Sequence, residues 1–387
     1  MNFVLLGRST RVAIEVLQAI RSFSQGDCLV AGDEASRPLR WSTHCSRHVM
    51  IELGGSGDDE FVTMINGLAA RNSETVLIPF DCDGIRMANR VQGRLQVKTV
   101  PVPDVATLDL LEDKWSFHAF CSQHALPVPL TRFVGTKEAV DFDAVAAEFG
   151  LPFVLKPTNW SGSLGVQIVT SRSQFEQDIL GDARYVFDTL VVQQFIEGED
   201  ACLSVLANRG RLLALAIQRF VLNRIEFMPN AGLEVIASQI CRDSVYHGVM
   251  NLDVRIEKDT GKLFLIEANP RFYASLTAAV FCGLNFVAES LDPPDEVSEP
   301  KRLVAGHFDK RHPLLTPSLW PRLLLELGAR GRLLRAKAFD LFTFGMLLRQ
   351  LPSMPLRLAR RSAALVFRPR HPRPAGVGST ADKDGAS

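Results

Sequence analysis

Short apolar runs alternate with amphipathic stretches along the first hundred residues, and this pattern predicts strands and helices in turn. The predicted strands are Phe3–Leu6, Cys28–Ala31, His48–Leu53 and Thr75–Pro79, and the predicted helices are Val12–Ile20 and Phe61–Ala70. Strands that alternate with helices are typical of a parallel sheet with helices on its faces. Residues 1–105 are therefore predicted to form an α/β domain.

Strands outnumber helices in the middle of the chain, which indicates an α+β arrangement there. The predicted helices are one opened by Asp113-Lys114, Ala139–Phe149 and Ser275–Gly283, and the predicted strands are Pro152–Lys156, Gln167–Val169, Val191–Phe195, Ala201–Ala207, Leu212–Phe220 and a hairpin over Asn251–Phe272. The stretch Leu291–Lys301 is a linker by composition. These patterns divide the rest of the chain into residues 106–190, 191–295 and 296–387.

The hairpin over Asn251–Phe272 carries the strongest chemical signal. Glu267, Asn269 and Arg271 alternate along its second strand, so their side chains share one face. Asp253 on the first strand can meet them across the hairpin. Carboxylate and amide oxygens are the ligands that Mg²⁺ prefers, and a guanidinium binds phosphate. The alternative is a surface hairpin with solvated acids. It does not explain why a strand with a buried pattern runs directly into these charged residues.

Two further segments suit a nucleotide, although each has an ordinary alternative. The loop Asn159–Gly165 is rich in glycine and serine, which let a backbone approach phosphate oxygens, and Lys156 ends the strand before it. The alternative is a solvated turn with an exposed lysine. The strand at Gln193 leads into an extended acidic segment that could pair with an adenine edge, and Asp200 could accept from ribose hydroxyls. The alternative is a surface turn.

Charge and cysteine usage bound the function class. The chain has no net charge, but residues 301–387 carry 17 lysines and arginines against 5 acidic residues. The seven cysteines are scattered and never form a CxxC pair, which favours reduced thiols in the cytosol. The N-terminus lacks the basic start and long apolar core of a signal peptide, so a cytoplasmic location is predicted. The turn at Gly7 lacks GxGxxG spacing, which disfavours a dehydrogenase.

Taken in order, these motifs resemble the ATP-grasp superfamily. They are Asp113-Lys114, Lys156 with its Ser/Gly loop, QQFIEGED, NLDV and IEANPR. The likeness covers about residues 1–290 and is closest to carboxylate–amine ligases with an N-terminal pre-ATP-grasp domain. It implies a pre-ATP-grasp domain over 1–105 and two ATP-grasp lobes over 106–190 and 191–295. It also implies a ligase that activates a small-molecule carboxylate as an acyl phosphate for attack by an amine.

The resemblance implies roles for residues at matching positions. The cofactors would be ATP and one or two Mg²⁺ ions, with Mn²⁺ as an alternative. Lys114 and Lys156 would bind the ATP phosphates, and the loop residues Ser161, Gly162, Ser163 and Gly165 would cover them. The adenine hinge would be formed by Gln193, Phe195 and Ile196, and Asp200 would bind the ribose. The residues implied for the metal are Asp253, Glu267 and Asn269. Arg271 and Lys156 would act at the transferring phosphate. Arg219 and Arg224 are equally open to binding an acidic substrate or to being surface cations.

Three departures from the family pattern leave a second hypothesis open. Gln193 stands where Glu is usual, Asp253 stands where Gln or Glu is frequent, and the segment between Leu233 and Asn251 is short, which predicts a reduced helix. The alternative function is a catalytically silent nucleotide-binding module that serves as a membrane-associated scaffold.

The basic C-terminal part is predicted to be helical and then to end in a disordered tail. Leucines at helical spacing accompany arginines, and an apolar surface follows from Phe339 to Phe367. A basic amphipathic helix can lie on the anionic inner face of a membrane, so residues 339–367 are one candidate for peripheral membrane contact. Packing against the acidic body, favoured for the first half, and a homodimer contact are the alternatives. Nucleic acid is disfavoured because the aromatics do not interleave with the basic residues.

Overall fold

A five-stranded parallel sheet forms the N-terminal part of the protein in the computed structural model, which describes residues 1–72, 74–160, 162–295 and 298–350. Its strands are β1 Asn2–Leu6, β2 Cys28–Gly32, β3 Arg47–Met50, β4 Thr75–Pro79 and β5 Lys98–Thr99, in the order β3-β2-β1-β4-β5. The connecting helices are α1 Thr10–Arg21, α2 Asp58–Arg71 and α3 Cys82–Val91. The predicted parallel α/β sheet is confirmed.

A buried carboxylate after β4 holds the turn between β1 and α1. Asp81 Oδ2 accepts hydrogen bonds from the backbone N–H groups of Arg8 at 2.8 Å and Ser9 at 2.7 Å. Its other oxygen caps α3 by accepting from the backbone N–H of Gly84 at 2.9 Å. Gly7 is required here because its φ is +150° and a Cβ would lie 2.4 Å from Asp81 Oδ1. The carboxylate thus fixes where α1 begins.

Two short helices, α4 Val105–Glu112 and α5 Lys114–Gln123, lead into the middle of the chain. Asp113 caps α5, because its Oδ1 accepts from the backbone N–H groups of Trp115 at 3.0 Å and Ser116 at 2.9 Å. The predicted helix opening at Asp113-Lys114 is therefore present. The cap places Lys114 in the first turn of α5.

A four-stranded antiparallel sheet follows. Its strands are β6 Thr131–Gly135, β7 Phe153–Pro157, β8 Gln167–Val169 and β9 Leu190–Gln194, in the order β6-β9-β7-β8. The accompanying helices are α6 Phe142–Phe149 and α7 Arg172–Gln174, which continues as a π-helical turn over Phe175–Leu180. Phe153 and Leu155 of β7 share a buried cluster with Phe142 and Val145 of α6. Their alternation leaves Lys156 on the opposite face of β7.

The largest sheet has seven strands. They are β10 Gly198–Asn208, β11 Arg211–Val221, β12 Arg224–Phe227, β13 Gly248–Glu257, β14 Leu263–Asn269, β15 Lys301–Leu303 and β16 Gly306–Asp309. The order is β14-β13-β10-β11-β12-β16, with β15 paired in parallel to β11 and the other pairs antiparallel. Helix α8, Ala231–Asp243, fills the segment that the sequence predicted to hold a reduced helix, and it has 13 residues.

Strands β15 and β16 cross the predicted boundary at residue 295. The sequence assigned residues 296–387 to a linker and a helical extension, yet residues 301–309 complete the sheet of the preceding lobe. The backbone pairing Ile225↔Phe308 fixes β16 on β12. The prediction missed these strands because they are three and four residues long and mix charged with apolar positions. The other domain boundaries stay predictions.

The remaining helices follow the large sheet, and α9 and α12 among them pack against α1. They are α9 Leu276–Cys282, α10 Phe286–Leu291, α11 Trp320–Leu325, α12 Ala329–Ala338 and α13 Leu341–Gln350. Leu333 and Leu334 of α12 are fully buried in the same cluster as Leu17 of α1 and Leu276 of α9. The first half of the basic extension thus has the packed arrangement, one of the alternatives that the sequence left open.

One buried carboxylate ties the end of α12 to the N-terminal domain. Asp340 is 0% exposed, and its Oδ1 accepts from Ser42 Oγ at 2.6 Å and from the backbone N–H of Thr43 at 2.9 Å. Its Oδ2 caps α13 by accepting from the N–H of Thr343 at 2.8 Å. A carboxylate this deeply buried is stable only when such donors replace its water.

Residues 344–387 separate by their contacts from residues 1–343 as a second unit, and only 344–350 of that unit are described. Among the described residues, no helix combines the length and apolar character needed to cross a membrane. Most of the predicted membrane contact over 339–367 lies outside the described residues and stays a prediction. Within the described part, Phe339 and Leu341 are 58% and 64% exposed.

Replacing Asp340 with alanine should destabilise the protein, because five donors around it would lose a buried acceptor. We expect the free energy of unfolding to fall by roughly 2–4 kcal/mol in urea denaturation followed by circular dichroism. Asp259→Ala, in the exposed β13–β14 turn, is the control and should change it by less than about 0.5 kcal/mol. Equal effects of the two substitutions would show that Asp340 does not anchor the extension.

The membrane prediction is tested by flotation with vesicles that contain phosphatidylglycerol. A truncation at residue 300 is unsuitable because it removes β15, β16 and the buried face of α12. The full chain is instead compared with residues 1–350, which keep every described element. Peripheral contact through the basic segment predicts that only the full chain floats, and that salt releases it. Identical behaviour of both proteins would rule out that contact.

Candidate functional site

A cavity of about 770 Å³ lies between the four-stranded and seven-stranded sheets. Most of the predicted site residues line it. They are Lys114, Lys156, Gly162, Ser163, Gln193, Phe195, Ile196, Asp200, Asp253, Glu267, Asn269 and Arg271. Two predicted residues are not among them: Ser161 lies outside the described residues, and Gly165 does not line the cavity. The sequence motifs, up to 157 positions apart between Lys114 and Arg271, thus meet in one cleft.

Gly165 has a packing reason to be glycine. Its φ is +75°, and a Cβ would lie 2.6 Å from Cζ of Phe187. Its carbonyl oxygen accepts from Tyr185 Oη at 2.7 Å. The residue anchors the base of the loop, while Gly162 and Ser163 at its tip, with φ of +71° and +63°, face the cavity.

The β13–β14 hairpin brings the two predicted metal carboxylates together. Asp253 and Glu267 are directly opposite cross-strand partners, and Asn251 pairs in the same way with Asn269. Directly opposite side chains lie close enough to bind one ion. A β-bulge after Asp253 shifts the register beyond this point. The antiparallel pairing, rather than local sequence spacing, decides that Asp253 meets Glu267.

Two buried lysines from the other lobe face this carboxylate pair. Lys114 Nζ lies 3.3 Å from Glu267 Oε2, and it donates to the carbonyl oxygen of Trp160 at 2.5 Å. Lys156, 3% exposed, donates to Gln193 Oε1 at 2.9 Å and to the carbonyl oxygen of Ile266 at 3.2 Å. Both ammonium groups therefore converge on the tip of the hairpin from α5 and β7.

Burial and the neighbouring charges shift the pKa values of Lys156, Asp253 and Glu267 in different directions. Burial lowers the pKa of Lys156 to about 8, although Glu267 opposes the shift. Burial and the negative charge of Glu267 raise the pKa of Asp253. Burial would also raise the pKa of Glu267, but the ammonium groups of Lys114 and Lys156 outweigh it and lower that pKa. The electrostatics of the pair therefore favour the ionised form of Glu267 and disfavour the ionised form of Asp253.

The side chain of Gln193, at the wall of the cavity, contacts Lys156. Its oxygen accepts from Lys156, and its Nε2 donates to Thr131 Oγ1 at 3.0 Å. Both ends of this buried amide are satisfied by β6 and β7. The neutral side chain leaves Lys156 without a carboxylate neighbour on this side, which is consistent with the lowered pKa.

The predicted hinge and ribose residues lie at one end of the cavity with a partner that the sequence did not single out. Arg255 Nε donates to the carbonyl oxygen of Ile196 at 2.9 Å, and its guanidinium stands 5.8 Å from the ring centre of Phe195. Arg255 also forms an ion pair with Asp200, its cross-strand partner on β10. The sequence contains both the acid, Asp200, and the cation, Arg255. That they face each other follows only from the register of β10 against β13.

Two further contacts involve the predicted metal and phosphate residues. Cys202 donates its thiol to Asp253 Oδ1 at 3.0 Å. Arg271 Nη2 donates to Asn269 Oδ1 at 3.0 Å, so the two predicted residues orient each other. The sequence did not predict Cys202, because an isolated cysteine in a strand has no distinguishing pattern.

The donor set fits a hard divalent ion. In the described parts of the chain, no three histidine, cysteine or acidic side chains cluster as a metal site. Two facing carboxylates with a nearby amide match Mg²⁺, which takes one or two protein carboxylates and fills its shell with phosphate oxygens and water. A soft transition metal would need more nitrogen or sulfur ligands.

Arg219 and Arg224 do not reach the cavity lining. Arg219 forms an ion pair with Glu226 at 3.0 Å, and Arg224 lies opposite Asp309 in the β12–β16 register. Three other cations line the cavity instead, and they mark what we call its outer end: Arg11, Lys310 and Lys337. They come from α1, from the residue after β16 and from α12, which no local motif connects.

The family model of the ATP-grasp domain matches residues 111–275. A D-alanine–D-alanine ligase of Desulforudis audaxviator (strain MP104C) is 29% identical over 190 residues, 42% of this chain and 62% of that protein. The same enzyme of Cupriavidus taiwanensis is 26% identical over 253 residues, 63% of this chain and 73% of that protein. The chain therefore spans less than two thirds of the first relative and about three quarters of the second.

Solved structures share the fold at low identity. The biotin carboxylase domain of Hydrogenobacter thermophilus 2-oxoglutarate carboxylase, in complex with MgADP, has a TM-score of 0.58 and 14% identity, over 79% of this chain and 73% of that one. N5-carboxyaminoimidazole synthetase of Staphylococcus aureus, complexed with ADP, has a TM-score of 0.57 and 12% identity, over 80% of each chain.

The predicted family and fold class are confirmed, and the predicted enzyme class, a ligase that uses ATP and Mg²⁺, agrees with these relatives. Together with the order of the motifs and the shared fold, the family match shows that residues 111–275 of this chain are an ATP-grasp domain, which follows a parallel α/β sheet.

Proposed function

We propose that this protein is an ATP- and Mg²⁺-dependent ligase that activates a carboxylate as an acyl phosphate for attack by an amine. The observation that carries the proposal is the convergence of Lys114 and Lys156 on the Asp253–Glu267 pair inside one cavity. Oppositely charged buried groups facing a polar cavity are typical of a site that binds a metal–polyphosphate. The ligase names of the relatives support the reaction class.

The two lobes would hold different parts of ATP. Lys156 and Lys114 supply buried positive charge for the phosphates, and the loop tip at Gly162 and Ser163 covers them and excludes water. The backbone at Phe195 and Ile196 would pair with the adenine edge. The Arg255 contact to the Ile196 carbonyl oxygen holds that segment in place.

Asp253, Glu267 and Asn269 are the residues that would hold Mg²⁺. When bound, the ion would supply charge neutralisation for the β- and γ-phosphate oxygens. Arg271, oriented by Asn269, would place its guanidinium against the transferring phosphate or the carboxylate substrate. The thiol of Cys202 holds Asp253 in position from behind.

The reaction needs no side-chain nucleophile. A substrate carboxylate oxygen attacks the γ-phosphorus, the bond to the β-phosphate oxygen breaks, and ADP leaves. The nitrogen of the amine then attacks the acyl carbon, inorganic phosphate leaves with that oxygen, and the amine releases a proton. The residues of the cleft contribute positioning, charge stabilisation and exclusion of water, which are the main catalytic terms for phosphoryl transfer.

Trapping with hydroxylamine tests the proposal. Purified protein with Mg·ATP, hydroxylamine and a carboxylate panel that includes D-alanine should yield ADP and hydroxamate in equal amounts. Glu267→Gln, which keeps the shape and removes the charge that faces Lys114, should lower the rate by about 100-fold or more. Glu257→Gln, at the far end of β13 and outside the cavity lining, is the matched control and should keep the rate.

Binding of Mg·ATP without ADP formation from any carboxylate would contradict the ligase and favour the silent module. The Gln193 position motivates that alternative, because its neutral side chain departs from the usual carboxylate. Calorimetric binding of Mg·AMP-PNP, measured on the same preparation, separates loss of binding from loss of chemistry.

The lowered pKa of Lys156 predicts how nucleotide binding depends on pH. Below about pH 8 the free protein carries the ammonium that attracts the triphosphate, and above it the neutral amine must gain a proton on binding. The affinity for Mg·AMP-PNP should therefore fall by up to about tenfold per pH unit above pH 8.

Gln193→Glu provides the comparison, because it places a carboxylate at the oxygen that now lies 2.9 Å from Lys156 Nζ. It should raise the pKa of Lys156 and move the loss of affinity to higher pH. Wild-type binding that stays constant between pH 8 and 9.5 would contradict this assignment.

A further inference from the structure

The outer end of the cavity is built by elements outside the 111–275 family match. Arg11 and Glu15 come from α1, Lys310 follows β16, and Lys337 comes from α12. These side chains share the cavity with Arg271, which the proposed function places at the transferring phosphate. The outer end is therefore where the part of a substrate beyond its reacting carboxylate would lie.

Lys337 is held rigidly at this end. Its Nζ lies 3.2 Å from Glu15 Oε1 and 3.0 Å from Thr277 Oγ1. Glu15 in turn accepts from the backbone N–H of Thr277 at 2.9 Å and from its hydroxyl at 2.5 Å. Side-chain exposures of 15% for Lys337 and 12% for Glu15 show that the network is largely removed from water. A cation held this way is pre-organised for a ligand.

The other two cations lack acidic partners. Within residues 1–72, 74–160, 162–295 and 298–350, no carboxylate lies at ion-pair distance from Arg11 or Lys310. Lys310 Nζ instead stands 5.1 Å from the ring centre of Phe220. By contrast, Arg219 nearby is neutralised by Glu226. The lining at this end thus has three cations and one carboxylate, and an anion is needed to balance the charge.

We propose that Arg11, Lys310 and Lys337 form an anion pocket that selects a carboxylate substrate carrying a second anionic group. That group is a second carboxylate or a phosphomonoester, which share the chemistry that lysine and arginine recognise. The substrate class rests on the proposed function, because the cavity must first hold ATP at its inner end. The apolar wall of Ile225 and Phe308 beside the cations limits the pocket to a compact chain between the two anionic groups.

Matched probes that differ in one charge test the pocket by binding alone. Calorimetry with Mg·AMP-PNP present compares aspartate with asparagine, and O-phosphoserine with serine. We expect each dianionic probe to bind at least about fivefold more tightly than its neutral partner. The two arms distinguish the source: a preference in the first indicates a carboxylate, and a preference in the second indicates a phosphomonoester.

Charge variants separate recognition from structure. Lys310→Gln and Lys337→Gln should each reduce the ratio between charged and neutral probes, by about two- to fivefold for the exposed Lys310 and by about tenfold for the half-buried Lys337. Glu15→Gln should increase the ratio, because it removes the carboxylate that is paired with Lys337. If the Glu15–Lys337 pair were only structural, Glu15→Gln and Lys337→Gln would change the binding ratio in the same direction. Lys262→Gln, an exposed cation off the cavity lining, is the control.

The proposal is overturned if the charged and neutral probes bind equally, or if none of the four binds. It is also overturned if the ratio is unchanged in Lys310→Gln, a variant of an exposed side chain that does not disturb the core. Failure of the ligase proposal has a different signature. In that case the probe ratios and their charge dependence hold, while hydroxamate and ADP do not form.

Discussion

The cleft depends on the attraction between two buried ammonium groups and the carboxylate of Glu267. Lys114 comes from α5, Lys156 from β7 and Glu267 from β14, so the contact joins the four-stranded and seven-stranded sheets across the cavity. Burying either lysine alone would cost several kcal/mol, and the opposite charge offsets that cost.

Backbone groups take part in the same constraint. Lys156 donates to the carbonyl oxygen of Ile266, and its other contact, Gln193, is fixed by Thr131. The four-stranded sheet is therefore tied to the hairpin through one side chain. Because Gln193 is neutral, Lys156 loses its proton more readily than it would beside a carboxylate.

The basic C-terminal part belongs to the body of the protein as far as Ala338. Two strands of it complete the large sheet, α12 packs on α1 and α9, and Asp340 is bound by the N-terminal domain. This packing is what brings Lys337 to the outer end of the cavity. The basic residues of 301–387 thus fall into two groups. One group lies in the packed part that supports and lines the cleft, and the other lies beyond residue 350.

The sequence by itself determined the α/β sheet, the hairpin and the order of the motifs, because period-two and helical patterns and turn residues act over a few positions. Most of the site residues that it named also line the cavity. Only the tertiary structure decided that Arg255 meets Asp200, that Arg219 and Arg224 turn away, and that Arg11, Lys310 and Lys337 converge. Those outcomes depend on strand register and on helix packing between residues more than three hundred positions apart, such as Glu15 and Lys337, and no local pattern encodes which distant surfaces will be buried together.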